Sequence, residues 1–229
     1  FEDNENGILT GGDKDTILEI ENCEFGYNGF GDGRSHNLYV GAIARLIVTG
    51  SYFHHANVGH LLKSRAAENH IAYNRLTDET GGRASYELEF PNGGIAYVVG
   101  NVIQQSSTTE NPNIVSYGAE GPRWPDNALF LAHNTLVNEM HAGSFLKIWD
   151  EKFPTSIETW VINNLVIGSG DLTRPAHGRF EGNQTAQKRD LIYFAVALPL
   201  VASAVDFDRF RAKAKLFLRA HKDRLALHK

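Results

Sequence analysis

Cysteine occurs once in this 229-residue chain, at Cys23. A lone thiol excludes an internal disulfide framework and any cysteine-based metal cluster. Long apolar runs are nearly absent as well. The longest, Leu191–Val205, contains Pro199 and falls short of the roughly 20 residues that a membrane-spanning helix needs, so we read it as a buried segment. Basic charge is also scarce in most of the chain. Residues 188–229 hold 10 basic and 4 acidic residues, which leaves 12 basic against 23 acidic in the first 187. An acidic body argues against nucleic acid as a partner, and the change of sign near Lys188 marks a boundary. Helical periodicity is missing before that boundary. The opening "FEDNENGILTGG" has neither methionine nor signal peptide, and we read it as a fragment or a processed chain.

What is present is a repeat. Short β-type runs ending in Asn or Gly recur as "ILEIENCEF", "LIVTGSYF", "HIAYNRL", "AYVVGNVI", "LFLAHNTL" and "WVINNLVI". Their pivots are Asn22, Gly50, Asn74, Asn101, Asn134 and Asn164. Asn and Gly both tolerate left-handed backbone angles, and stacked Asn side chains can form a hydrogen-bonded ladder. A second set of runs lies between the pivots: "GILTGG", "NLYVGA", "LLKSRA", "ELEFPN", "IVSYGA" and "FLKIWD". Two or three short strands per unit, separated by Gly/Asn/Asp turns, indicate stacked β-coils. The expected fold is all-β, a right-handed parallel β-helix of six to seven coils over residues 1–186. Residues 187–229 supply the apolar segment and then a basic amphipathic helix. Its apolar face is Phe207, Phe210, Ala214, Phe217 and Leu218, and it is expected to cap the solenoid end.

Strand alternation in the second set puts Leu38, Val40, Leu62, Ser64, Leu88 and Phe90 inside. The opposite phase would bury Lys63, Arg65 and two glutamates. Stacking the coils then gives two outer columns. One reads Leu9, Tyr39, Lys63, Glu89, Ser116, Lys147, and its neighbour reads Gly7, Asn37, Leu61, Glu87, Ile114, Phe145. Tyr39, Lys63, Arg65, Glu87 and Glu89 thus share one expected patch, with His36 and His60 at its rim.

Rows of basic and acidic side chains on a flat face suit an extended anionic polymer such as a uronate polysaccharide. Eliminating across its glycosidic bond requires a cation for the carboxylate and a base for the adjacent proton. Arg65 fits the first role; Lys63, Tyr39 or His60 fits the second. His36, Asn37, Glu87 and Trp124 are candidate substrate contacts, with Trp124 able to stack on a sugar. Glu87 and Glu89 are candidate ligands for a calcium ion, and as a carboxylate pair they also keep glycoside hydrolysis open. The loops Ser106–Asn113 and Glu120–Asn127 are candidate groove walls. A solvated face of ordinary ion pairs, belonging to a non-catalytic glycan-binding or adhesion module, is the competing reading.

The segments "GHLLKSRA", "HIAYNRL", "SYELEFPNGGIAYVVGNVIQQS", "NIVSYGAEG" and "LFLAHNTLVN" carry a resemblance. Over residues 1–183 the chain resembles bacterial right-handed parallel β-helix repeat proteins of the pectate-lyase-like superfamily. That resemblance implies a carbohydrate-active protein, exported to the periplasm, cell surface or medium; we expect a monomer that acts on an acidic polysaccharide. The chain departs from better-known relatives in lacking "WIDH", "RxPxxR", "DPHE", "NTD" and "RIK" segments. A Lys and an Arg on the central face are similar to the chondroitinase-B and alginate-lyase branch. There the pair lies on successive coils, whereas Lys63 and Arg65 share one strand.

Overall fold

In the structure, a computed structural model, residues 1–173 and 178–187 are described. The apolar run and the amphipathic helix expected beyond residue 187 lie outside the described residues. Seven coils follow one another, each contributing three short strands. They are β1 (Ile8–Leu9), β2 (Ile17–Glu21) and β3 (Glu24–Gly26); β4 (Leu38–Val40), β5 (Arg45–Thr49) and β6 (Tyr52–His54); β7 (Leu62–Ser64), β8 (Glu68–Ala72) and β9 (Arg75–Thr77). Then come β10 (Leu88–Phe90), β11 (Ile95–Val99) and β12 (Val102–Gln105); β13 (Asn113–Tyr117), β14 (Ala128–Ala132) and β15 (Thr135–Asn138). The last are β16 (Ser144–Ile148), β17 (Glu158–Ile162) and β18 (Leu165–Ile167); β19 (Asp171–Leu172), β20 (Arg179–Glu181) and β21 (Gln184–Ala186). Every third strand pairs in parallel with its counterpart one coil on, giving three sheets of seven strands. This is a right-handed parallel β-helix.

The core follows from the register. Leu38, Leu62, Leu88 and Val115 stack inward from the first sheet, and Val48, Ile71, Val98, Leu131 and Val161 from the second. The third sheet adds Phe25, Phe53, Leu76 and Ile103, with Phe25 and Phe53 stacked face to face at 4.7 Å. Burying one such side chain contributes about 2–3 kcal/mol, so the repeated interior supplies what no single coil could.

The corner between the second and third sheets resolves the Asn pivots into two adjacent columns. Asn22, Gly50, Tyr73, Gly100, His133 and Asn163 hold the left-handed backbone, with φ between 52° and 70°. Asn74, Asn101, Asn134 and Asn164 occupy the next position, beside Ser51 and Asn183. There Oδ1 of Asn101, Asn134 and Asn164 accepts from the backbone N–H and the amide of the Asn in the preceding coil, at 2.8–3.1 Å. Each amide also donates to a backbone carbonyl, as Asn101 does to Ile71 at 2.9 Å. The sequence alignment therefore slips by one residue between Gly50 and Asn74. Turn tolerance and ladder bonding belong to neighbouring residues, not to one.

A corner also corrects the outer columns. The Tyr39, Lys63, Glu89, Ser116, Lys147 column is in register as expected; Tyr39, Lys63 and Lys147 are half-buried, while Glu89 and Ser116 are buried. Asn37, Leu61, Glu87 and Ile114, expected outside, are fully buried. The first-sheet strands are only three to five residues long in these coils. Before β4, β7 and β10 the chain bends at Asn37, Leu61 and Glu87 and these residues are buried, whereas Ile114 is buried within β13 itself.

Candidate functional site

The outer face of the first sheet carries a connected set of charges. Lys63, central in β7, has its ladder neighbours Tyr39 and Glu89 on either side. Its Nζ lies 2.9 Å from Glu89 Oε2 and 3.6 Å from Glu120 Oε1. Arg65 follows the end of β7 and is pinned by its backbone N–H to Val40. Its guanidinium grips Glu120 with two bonds, 2.6 and 2.8 Å. The same group donates from Nε to the Tyr39 hydroxyl at 2.7 Å and from Nη1 to Asn92 Oδ1. Three side chains from three coils thus converge on one guanidinium.

Two turns supply the far side. Asn92 sits in the turn after β10, and Glu120 in the turn after β13. Gly118 opens the second turn with φ +85° and lies so close to the Phe153 ring that a Cβ would meet it at 2.3 Å. Only glycine satisfies both demands. Trp124, further along, donates from Nε1 to the Arg65 carbonyl at 3.0 Å, so this loop is fastened against the edge of the patch. Beyond Ser116, Lys147 and Lys152 both lie over the Trp149 ring, at 4.9 and 4.7 Å.

The rim histidines are buried rather than poised in solvent. His60 places Nε2 2.8 Å from Glu89 Oε2, and its backbone N–H donates to His36 Nδ1 at 3.0 Å. The rings meet edge to face at 4.6 Å. Burial pushes the His36 pKa down to about 3, helped by its coupling to the neighbouring His60 and Lys63. Burial likewise lowers His60. Both rings are therefore neutral at physiological pH, and the expectation of an exposed acid–base histidine is replaced by a supporting one. Burial alone would raise the Glu89 carboxyl, but the His60 hydrogen bond and the Lys63 ammonium outweigh it and bring it to about 2. An ionised Glu89 only accepts, so the His60 proton is on Nε2. Its Nδ1 is buried without a partner.

Of the residues singled out from the sequence, Tyr39, Lys63, Arg65 and Glu89 come together, with His36, His60 and Trp124 around them. Asn37 and Glu87 do not join them. Asn37 bonds inside the helix to the carbonyls of Phe25 and His54. Glu87 is fully buried with both oxygens unpartnered. Glu87 and Glu89 consequently point to opposite sides of the sheet, and the calcium pair and the hydrolytic carboxylate pair expected of them are not formed. Elsewhere, Glu2, Glu24 and His54 bring three ligand atoms within 4.8 Å of one another, enough to hold a cation, although both carboxylates are exposed. Asn92 and Glu120 were missed as partners of Arg65. Glu120 lies 55 positions away, and only the coil spacing brings it near.

Chemically, the arrangement is a carboxylate receptor. The Arg65 fork and the Lys63 ammonium face one position, filled by the Glu120 carboxylate, and the Tyr39 phenol accepts from the same guanidinium. The hydrogen bonds from Arg65 hold Glu120 below the usual carboxylate range, despite its partial burial. With Lys63 and Arg65 matched by Glu89 and Glu120, the cluster has no net charge.

Fold and face together define a parallel β-helix whose outer first sheet carries a walled, charge-matched patch. No protein-family model matches the chain, and no curated protein or solved structure matches it either. No helix among the described residues is long and apolar enough to cross a membrane.

Proposed function

We propose that this protein is an exported, carbohydrate-active member of the pectate-lyase-like superfamily that engages an acidic polysaccharide and cleaves it by β-elimination. One observation carries the reading: the two-bond clamp of Arg65 on a carboxylate, with Lys63 beside it. A uronate carboxylate presents the same planar pair of oxygens, and a guanidinium fork is the side chain that best matches it. In the proposed reaction Arg65 and Lys63 neutralise the uronate carboxylate. The proton on the adjacent carbon then becomes removable, the electrons left behind form a carbon–carbon double bond, and the glycosidic C–O bond breaks.

Tyr39 is the proposed base. Its oxygen accepts from Arg65 at 2.7 Å, which fixes it at the site; as the phenolate it takes the proton, and the phenol so formed returns that proton to the leaving oxygen. Lys63 suits this role less, because its ammonium is engaged by two carboxylates. His60 acts behind it as a positioning residue, fixing Glu89 and through it Lys63. The competing reading, binding without cleavage, is favoured by the pairing of each cation with a resident carboxylate.

The test is incubation with a panel of uronate polysaccharides, with and without calcium, following the ultraviolet absorbance of the unsaturated product. Cleavage that vanishes in Arg65→Ala and Tyr39→Phe supports the lyase. Glycan binding without absorbance, in every member of the panel, supports the binding module.

A further inference from the structure

We infer that Glu120 is an internal occupant of the receptor, a gate that an acidic glycan displaces one carboxylate for one. The inference rests on the reading of this face as a uronate site and adds its regulation. Three features of Glu120 support it. Its carboxylate occupies the fork of Arg65 with the two-bond geometry that a ligand would use. It also reaches toward Lys63 at 3.6 Å, so both cations of the site face a resident anion.

The second feature is the contrast between backbone and side chain. The turn is tied down by Glu120 N–H to Pro91, Gly121 N–H to Gly118 and Arg123 N–H to Asn92, at 2.8–3.0 Å. The Glu120 side chain is 46 % exposed, whereas those of Arg65 and Lys63 are 18 % and 13 % exposed. The carboxylate can therefore swing into solvent on its own rotatable bonds while the receptor behind it stays in place. Rotation of an exposed side chain is fast and needs no loop opening.

The third feature is charge. The cluster is neutral with Glu120 in place, so departure of Glu120 leaves one uncompensated cation, and an arriving uronate restores the balance. Exchange thus conserves the electrostatics of the site, while a neutral sugar would leave the fork unpaired. Asn92 links the parts: its Oδ1 accepts from Arg65 and its amide donates to the Gly121 carbonyl at 3.3 Å. Neutral polymers are thereby selected against, and an anionic sugar must outcompete a tethered rival.

The test is calorimetric titration of the whole chain and of Glu120→Gln with trigalacturonate, and separately with acetate as a bare carboxylate. Glutamine keeps the shape and removes the competing charge. Binding of trigalacturonate should tighten roughly threefold to tenfold, as expected for losing one half-exposed charged clamp. The double variant Glu120→Gln, Arg65→Gln should lose that gain, which separates gating from altered folding. Unchanged or weaker binding in Glu120→Gln, with wild-type binding intact, overturns the gate and leaves the uronate reading standing. Acetate binding gained by Glu120→Gln, without any response to trigalacturonate, shows that Glu120 fills a carboxylate site but overturns both the uronate reading and the glycan gate. No binding of either probe to either protein removes both.

Discussion

Replacing Glu87 by leucine should stabilise this protein, and by an amount that depends on pH. Glu87 is fully buried, with neither carboxyl oxygen hydrogen-bonded. Burial, with the nearby charge of Asp78, raises its pKa well above the ordinary 4.5. The folded chain therefore holds a proton there that the unfolded chain releases as pH rises past 4.5. The sign follows directly: the stability contribution is full below that value and is lost progressively as pH rises toward the folded-state pKa. A buried carboxyl without a hydrogen-bond partner costs about 1–3 kcal/mol even when neutral, and holding it protonated costs more as pH rises above 4.5. Leucine removes the titrating group, and its neighbours in the column, Leu61 and Ile114, are buried apolar residues. Glu87→Leu should thus gain about 1–3 kcal/mol at pH 4, where the neutral carboxyl is still buried without partners, and more at pH 7. The assay is urea unfolding followed by circular dichroism across that range. A variant less stable at pH 7, or a gain that does not grow with pH, would refute the reasoning.

Other substitutions test the ladder and the face. Asn101→Ala removes the acceptor of the Asn74 backbone N–H and amide and the amide donor to the Ile71 carbonyl, so unfolding in urea should show a loss of about 3 kcal/mol. Arg65→Lys keeps the charge but not the fork; uronate affinity should fall at least about tenfold with the melting temperature little changed. Tyr39→Phe should leave glycan affinity within about twofold while lowering cleavage by about a hundredfold or more, as read by product absorbance.

Much of the fold was legible because a solenoid writes its register into the sequence. Tyr39, Lys63 and Glu89 could be stacked correctly since a charged side chain within a strand has only one tolerable side. Asn37 and Glu87 were misplaced for the complementary reason: they stand at a bend, where alternation no longer determines direction. Nothing local marks Glu87 as interior, since a buried, unpaired carboxyl violates the rule that usually places such residues. The pivots slipped because Asn solves two problems, the left-handed turn at Asn22 and Asn163 and the ladder at Asn74 and Asn101. Glu120 was illegible as a partner because loop length varies between coils, so its reach to Arg65 depends on how the turn after β13 folds. The histidines were visible, but their burial depended on Tyr86 and Glu89 from the next coil, which meet His60 at 5.0 and 2.8 Å.

The most direct measurement is a crystal structure of the protein grown with trigalacturonate. The account predicts a uronate carboxylate on the Arg65 fork beside Lys63, its ring against the face between Tyr39 and Trp124, and Glu120 turned out into solvent. Sugar bound elsewhere on the solenoid, with Glu120 still seated on Arg65, would contradict it.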